Sequence, residues 1–473
     1  MPGRIEDYAI IGNCETAALV CNNGSIDWLG MPRFDASAFF AALLGNEENG
    51  RWLIAPESYR VARRYRPGTL VLETEFTTPD GTVVLTDCMG HQEGGGNLVR
   101  LVRGLRGSVR MRLELIIRFE YGSAVPWMTR LEDGRLTAVV GPDRLTVATP
   151  VELRGEGLKT VAEFTVQAGQ EVPFVLTWSP SFRPIPDAAD ARATIDGADE
   201  GWRRWSQMYC PPGDGEWDDA VLRSLITLKA LTHRETGGIV AAATTSLPEQ
   251  LGGPRNWDYR FCWLRDATLT LYALRISGFT REAKEWCEWL KRAIAGAPTQ
   301  MQIMYGVAGE RRLTEYTIPW LDGYEGAKPV RVGNAAADQL QLDVYGEVLD
   351  TLYQARRLGL TARTDWDLER ALLEHLEEIW TEPDEGIWEV RGGRRHFTTS
   401  KVMVWVAFDR AVRNIEEFGL EGPLDRWRAL RERIHAEICR KGFNPELNSF
   451  VQSYGSRDLD ASLLLLPLVG FLP

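Results

Sequence analysis

The sequence predicts a chain of two parts, an N-terminal antiparallel β-sandwich followed by a helical toroid or solenoid. Apolar and polar residues alternate over about the first 180 residues, prolines interrupt the chain near residue 180, and apolar residues then recur at helical spacing. Helices that follow one another without intervening strands exclude a doubly wound α/β fold. We place the sandwich at 1–180, a linker at 181–214 and the helical part at 215–473.

Short alternating runs define the first part. In VRMRLELIIRF, apolar and charged residues alternate from Val109 to Leu115, which is the period of a strand with one buried face. Further short runs recur with Gly, Pro or Asp between them, as at the turn Pro79-Asp80-Gly81. Many short strands at this spacing favour an antiparallel sandwich.

The second part begins after a proline-containing stretch. Residues 179–200 hold three prolines and little alternation, so we interpret them as linker. Beyond them, Val221, Leu225 and Leu228 share one helix face. About eight helices are predicted, near 217–234, 266–278, 280–294, 335–358, 364–379, 397–416, 424–439 and 459–466. The long loop between them at 295–334 is of a kind that is usually functional.

Composition excludes several classes of protein. The chain has 473 residues, a formal net charge of −12 and a pI near 5.2, whereas a nucleic-acid binder needs a basic footprint. The longest apolar stretch, LLLLPLVGFLP at 463–473, is too short to span a bilayer, and the N-terminus has no secretory pattern. We expect a cytoplasmic protein that binds neither nucleic acid nor membranes, and homo-oligomerisation stays open.

Cysteine and histidine usage predicts neither a disulfide framework nor a metal site. The seven cysteines contain no CxxC pair, which fits reduced thiols. The five histidines contain no HxH or HExxH spacing. We therefore expect no metal site.

Tryptophan is abundant, with 17 residues, of which only four lie before residue 201. An indole packs flat against the apolar face of a ligand and can still donate a hydrogen bond, as in sugar-binding clefts. The alternative is that these tryptophans lie in the buried core of the protein.

The densest aromatic segment is 254–274, PRNWDYRFCWLRDATLTLYAL. Aromatic residues alternate there from Trp257 to Trp263, and Arg265-Asp266 lead into a helix. Asp266 could cap that helix beside an aromatic core. Alternatively, Arg265 and Asp266 could grip vicinal hydroxyls in an aromatic-walled pocket, because a planar guanidinium beside a carboxylate suits a diol.

Two further segments carry acidic candidates. Glu389 follows Trp388 on a loop with apolar neighbours, where desolvation would raise its pKa as a general acid requires. The alternative is a surface carboxylate that pairs with a nearby arginine at 391, 394 or 395. Asp343 and Glu347 share a helix face, and we favour a structural polar stripe over a paired-carboxylate site. The small apolar segment 237–249 is predicted to line the toroid without carrying chemistry.

Several segments together resemble glycoside hydrolase family 15, in particular its bacterial branch of glucoamylase-like proteins and trehalases. They are IGNCETAALVCNNGSIDWLGMPRFDASAFFAALLG, NWDYRFCWLRDATLTLYAL, PVRVGNAAADQLQLDVYGEVLD, GIWEVRGGRRHFTTSKVMVWVAFDRA and FVQSYGSRDLDASLLLLPLVGFLP. They run in matching order from about residue 5 to the last residue.

The resemblance implies a β-sandwich followed by an (α/α)₆ barrel, of which this chain holds about eight of twelve helices. It implies inverting hydrolysis of an α-glucosidic bond, with Glu389 as the general acid and no cofactor. Arg265 and Asp266 are then expected to hold glucose, with Tyr259, Trp263 and Trp388 around it.

The resemblance also implies that the water-activating carboxylate lies in a segment after residue 473, so we expect a truncated barrel. Three hypotheses follow for a small-molecule α-glucoside. The chain is an inverting hydrolase, with trehalose preferred over α-1,4-glucans because no secretory signal is present. Alternatively, it is an inverting disaccharide phosphorylase, or an inactive truncated chain that binds sugar.

Overall fold

The computed structural model describes residues 2–92, 95–211, 215–360 and 365–472. Its first part is built from antiparallel strands that connect into one hydrogen-bonded network. The strands are β1 (Tyr8–Gly12), β2 (Ala17–Cys21), β3 (Ser25–Gly30), β4 (Ala38–Phe40), β5 (Arg51–Ala55), β6 (Arg60–Tyr65), β7 (Leu72–Thr78), β8 (Gly81–Gln92), β9 (Gly95–Ile116), β10 (Trp127–Arg130), β11 (Leu136–Val140), β12 (Asp143–Ala148), β13 (Arg154–Glu156), β14 (Lys159–Gln167) and β15 (Glu171–Pro180).

The long strand β9 belongs to both faces of this part. Its first half pairs with β8 and β15, and its second half pairs with β5 and β14. Apolar side chains from both halves meet in one core, in which Leu98 and Leu113 are at most 2% exposed. The alternation predicted from Val109 to Leu115 is present, since the intervening Arg110 and Arg112 are exposed. The predicted antiparallel β part is confirmed.

The second part is helical. Its helices are α1 (Ala191–Ser206), α2 (Asp218–Ala230), α3 (Leu264–Ile276), α4 (Thr280–Ile294), α5 (Asp343–Arg357), α6 (Trp366–Ile379), α7 (Thr398–Phe418), α8 (Leu424–Lys441) and α9 (Leu465–Leu468). Short antiparallel pairs join them, namely β16 (Thr245–Pro248) with β17 (Asn256–Asp258), β18 (Cys262–Trp263) with β19 (Met304–Tyr305), β20 (Tyr316–Ile318) with β21 (Val330–Val332), and β22 (Phe443–Asn444) with β23 (Ser449–Phe450). Within the described ranges, none of the helices has the length and apolar character needed to cross a membrane.

Helix α1 lies inside the predicted linker. The Asp190 side chain accepts the Ala193 N–H at 2.7 Å and so caps the helix, and the three prolines all precede it. Ala191 and Ile195 pack onto the β part, in a cluster with Val99. The sequence does not predict this helix within 179–200, because only two of the helical residues there, Ala191 and Ile195, are buried apolar side chains. Two such residues are too few to show a helical period.

Two predicted helices begin or end differently from the prediction. The helix predicted at 335–358 begins at Asp343, because the Asn334 side chain caps a separate 3₁₀ turn at Ala335–Asp338. The helix predicted at 459–466 is a 3₁₀ turn at Ala461–Leu464 followed by the single turn of α9, which contains Pro467.

A buried ion pair connects the two parts of the chain. Arg260 binds the Asp258 carboxylate with its Nε at 2.9 Å and its Nη2 at 2.7 Å. The same guanidinium donates to the Ala36 carbonyl at 2.8 Å and to the Tyr121 hydroxyl at 2.9 Å, both in the β part. Tyr259 lies between the two charged residues, so the pair also fixes the backbone on either side of that ring.

Helix α5 packs between α3 and α7, and its contact with α7 is close at Gly346. A Cβ atom added there would lie 2.2 Å from the Met403 carbonyl oxygen, and Met403 is part of the buried α7 backbone. Only glycine permits this approach. The contact fixes how α5 is turned about its axis, and therefore which of its residues face away from α7.

We expect Gly346→Ala to lower the free energy of unfolding by about 1–3 kcal/mol, because the methyl group forces α5 and α7 apart. Urea unfolding followed by circular dichroism measures this. Gly197→Ala, at an exposed position of α1, is the matched control. Nothing lies within 4 Å of the added Cβ atom there, and alanine favours a helix over glycine by about 1 kcal/mol. Equal effects of the two substitutions would contradict the proposed close contact.

Candidate active site

A cavity of about 1010 Å³ opens in the helical part. Its walls come from the segment around β16 and β17, from α3 and α5, from the loop between α6 and α7, and from α7 and α9. All six residues singled out from the sequence line it: Tyr259, Trp263, Arg265, Asp266, Trp388 and Glu389. The fold thus brings together side chains that are up to 130 positions apart in the sequence.

Glu389 stands on a loop that is closed at its base. Asp384 and Arg395 exchange two backbone hydrogen bonds at 2.9 and 2.8 Å, and Glu389 sits between them in the left-handed region with φ +53°. A residue other than glycine is rarely found there, and such strain concentrates at functional sites. Gly386 packs against the Phe397 ring within this turn. A Cβ atom added to Gly386 would lie 2.5 Å from the ring, so the turn requires glycine there.

The loop is docked onto the segment that precedes α5. The buried Asp384 carboxylate accepts the Leu342 N–H at 3.0 Å, and the Glu385 N–H donates to the Leu340 carbonyl at 3.0 Å. The Gln339 side chain donates to the Glu389 carbonyl at 3.3 Å. Burial is the main cause that raises the pKa of Asp384 to about 7. These contacts fix Glu389 relative to α5.

The Glu389 carboxylate points into the helical part, where Oε1 accepts the Trp263 Nε1–H at 2.6 Å. The Arg265 guanidinium lies 3.4 Å from the same oxygen. Burial raises the pKa of Glu389, while the charge of Arg265 and the indole hydrogen bond oppose the rise. Glu389 does not form the alternative surface ion pair with Arg391 or Arg394, because Arg391 binds Glu315 and Arg394 binds Glu385.

Arg265 lies in the first turn of α3 and is mostly buried. Its Nη1 donates to the Gln341 Oε1 at 3.2 Å and lies 3.7 Å from the fully buried Asp343 carboxylate. Its Nη2 lies 3.4 Å from Asp266. Asp266 does not cap the helix, which begins at Leu264 without a side-chain cap, and its carboxylate is 46% exposed at the cavity.

Aromatic rings form one side of the cavity. The rings of Tyr259 and Trp263 are 5.4 Å apart, whereas Phe261, the alternate residue between them, is buried in the core. The Trp388 side chain is half exposed, and its Nε1 donates to Asp460 at 2.8 Å. Residues two positions apart share a face of a continuous strand, but residues 259–261 lie between β17 and β18, which lets Phe261 point into the core while Tyr259 and Trp263 line the cavity.

A second acidic group of the cavity was not assigned from the sequence. Glu347 lines the cavity, and Asp343, one turn earlier on α5, lies beside Arg265. Asp350 and Gln354 continue the same stripe and also line the cavity. The sequence signal for this cavity wall is a stripe of polar residues on α5. They are spaced four, three and four residues apart and lie beside an apolar face of the same helix.

The sequence also does not predict the residues at the mouth of the cavity. Glu249, at the end of the segment predicted to carry no chemistry, lines the cavity and accepts the Trp257 Nε1–H at 3.0 Å and the Tyr259 hydroxyl at 3.4 Å. The Trp257 ring lies 4.4 Å from the Arg331 guanidinium and 3.9 Å from that of Arg391. The contacts of Trp257 with the two arginines join segments that are far apart in the sequence, so no local pattern predicts them. The contacts of Glu249 span only 8 and 10 residues.

Metal ligation has no candidate in the described part of the chain, in which no three His, Cys, Asp or Glu residues converge on one point. The cysteines there are all free thiols, and five of them are buried.

Family models match both parts of the chain. A trehalase-like N-terminal domain matches residues 1–180, and the glycosyl hydrolases family 15 matches residues 215–473. A solved bacterial glucoamylase in complex with acarbose has a TM-score of 0.69 at 12% identity and covers 98% of this chain and 73% of its own. These matches define a glycoside hydrolase with the glucoamylase-like fold.

Curated relatives identify the family. A trehalase from Mycobacterium tuberculosis is 36% identical over 503 residues, which cover 99% of this chain and 73% of the relative. A trehalase from Thermoplasma volcanium is 32% identical over 484 residues, which cover 99% of this chain and 76% of the relative. The chain belongs to glycosyl hydrolases family 15, as its sequence motifs predict.

The hydrogen bond from the Trp263 indole to Glu389 allows the pKa of the Glu389 carboxyl to be followed by NMR. We expect the indole ¹H–¹⁵N resonance of Trp263 to titrate with a midpoint above 4.5, the ordinary value for glutamate. It is assigned by its disappearance in Trp263→Phe, and Glu389→Gln should abolish the titration. The indole of Trp289, which donates to the Val307 carbonyl, is the internal control that does not titrate. A midpoint at or below 4.5 would contradict desolvation as the dominant effect.

Proposed function

We propose that this chain hydrolyses the α-glucosidic bond of trehalose, releases glucose with inversion, and prefers trehalose to α-1,4-glucans. The observation that carries the proposal is the mostly buried carboxyl of Glu389, held by Trp263 and Arg265 at a cavity with aromatic walls. The named activity of the relatives at 36% and 32% identity supports trehalose as the substrate.

Arg265 and Asp266 bind the glucose unit that is released. Gln341 and Asp343 hold the guanidinium in place from the protein side. The half-exposed Asp266 carboxylate is free to accept hydrogen bonds from sugar hydroxyls, and the Arg265 fork donates to neighbouring ones. The rings of Tyr259, Trp263 and Trp388 pack against the C–H faces of the sugar.

Glu389 acts as the general acid. Its raised pKa favours the protonated form that can donate to the glycosidic oxygen. Oε1 already accepts from Trp263 and faces Arg265, so the transferable proton resides on Oε2. The leaving oxygen takes this proton as the C1–O bond breaks. Inversion then requires a water on the opposite face of the sugar, activated by a second carboxylate about 6.5–9.5 Å away, a role that we assign to none of the described residues. Loss of the proton leaves a carboxylate that Arg265 stabilises.

We expect the chain to release glucose from trehalose faster than from maltose or soluble starch, and Glu389→Gln to lower kcat by about 10²–10⁴-fold. The dissociation constant for trehalose, measured by calorimetry, should change less than threefold because the amide is isosteric. Glu382→Gln, an exposed glutamate at the start of the same loop, is the matched control.

Two results would overturn the proposal. Full turnover by Glu389→Gln would exclude this residue as the acid. Absence of glucose release from all three substrates by the unmodified chain would exclude the hydrolytic function.

A further inference from the structure

Glu347 is a buried acid in the cavity wall that the mechanism above does not use. It lies on α5, four residues after Asp343, and is 8% exposed. Among the described residues it forms neither a hydrogen bond nor an ion pair through its side chain, although its neighbours on the stripe do. Asp343 lies 3.7 Å from Arg265, and Asp350 accepts from Arg410 at 2.6 Å.

Such a side chain gains no stability from a protein partner, and only the contents of the cavity can supply its hydrogen bonds. Glu347 also has no alternative direction to take, because the contact of Gly346 with the Met403 carbonyl fixes the rotation of α5. The next residue therefore stays in the cavity wall, where the carboxyl group has only the contents of the cavity to bind.

The surroundings of Glu347 decide its charge. Charged or titratable groups surround the cavity on three of the helices packed against α5 and on α5 itself. They are Arg265, Asp266, Tyr272 and Arg275 on α3, Cys287 on α4, Arg410 on α7, and Asp343 and Asp350 on α5. Helix α6 also packs against α5, where Glu369 pairs with Arg356 and His375 lies beside Tyr345, and none of its described residues lines the cavity. Burial is the main cause that raises the pKa of Glu347 to about 8, and the neighbouring Asp343 carboxylate adds to it. At neutral pH the group is therefore an uncharged acid with an O–H donor.

We propose that Glu347 is a further substrate-binding residue, which donates its carboxyl O–H to a hydroxyl oxygen of the bound sugar. This inference rests on the proposed function. Residues four positions apart on a helix are separated by about 6 Å along its axis, so Glu347 contacts the sugar one turn further into the cavity than the Arg265–Asp343 pair. The buried acid selects a polyhydroxylated ligand, because an apolar one would leave its O–H unpaired.

The binding test uses trehalose as the probe and calorimetry at pH 7 on the full chain. Glu347→Met removes the donor at similar volume and should weaken binding about tenfold or more. Glu347→Gln restores a donor through its amide and should recover most of this loss. Glu374→Met, at an exposed position of the neighbouring helix α6, is the matched control. Undiminished binding by Glu347→Met would overturn the inference.

A ligand-free measurement separates a binding role from a structural one. Because Glu347 has no protein partner, Glu347→Met should melt at or above the temperature of the unmodified chain. A melting temperature several degrees lower would show that the residue supports the fold, and would overturn the inference.

The pH dependence supplies a third readout. Trehalose affinity of the unmodified chain should fall as pH rises through about 8, because ionised Glu347 no longer donates. Glu347→Gln should be less sensitive over the same range, and equal sensitivity would overturn the inference. If the unmodified chain neither binds nor cleaves trehalose, the proposed function and this inference both fail. If it does and Glu347→Met is unaffected, only this inference fails.

Discussion

The buried pair of Asp258 and Arg260 is the interaction on which the arrangement of the two parts depends. Neither side chain is more than 1% exposed, and breaking such a pair by removing one partner typically costs 3–5 kcal/mol. Asp258 also accepts the Gly333 N–H at 3.1 Å, so the pair connects the β part, the segment of Tyr259 and the end of the long loop at 295–334. The aromatic wall of the cavity is therefore positioned by a charged interaction outside it.

Glu389, the proposed general acid, is positioned by backbone contacts of its loop, whereas a few side chains determine its charge. The loop of Glu389 gains its place from hydrogen bonds to residues 339–342, and so from the start of α5. Trp263 and Arg265, both at the start of α3, then contact the carboxylate itself. The beginning of α3 thus contacts the carboxylate itself, and the segment before α5 holds the loop, although the residues come from three separate segments of sequence.

Periodicity predicts the order of β part and helical part because burial repeats every two residues in one and every three to four in the other. Glu389, Arg265 and Asp266 are found because they occupy short contiguous motifs. Helix α1 was missed because too little of its early surface is apolar. The position of Glu347 in the cavity could not be inferred, since it depends on a backbone contact at Gly346 with a residue 57 positions later. Glu249 could not be inferred either, although its partners Trp257 and Tyr259 are only 8 and 10 residues away, because it lies in a small apolar segment with no periodic pattern.

The acids of the cavity also tie folding to proton uptake. Glu389 and Glu347 both hold a proton more tightly in the folded chain than a free glutamate does, the latter with a pKa of about 8. At these two positions the folded state therefore binds more protons than the unfolded state above pH 4.5, and the contribution of Glu347 to stability declines as pH rises towards about 8. Formation of this cavity wall thus takes up protons from neutral solution.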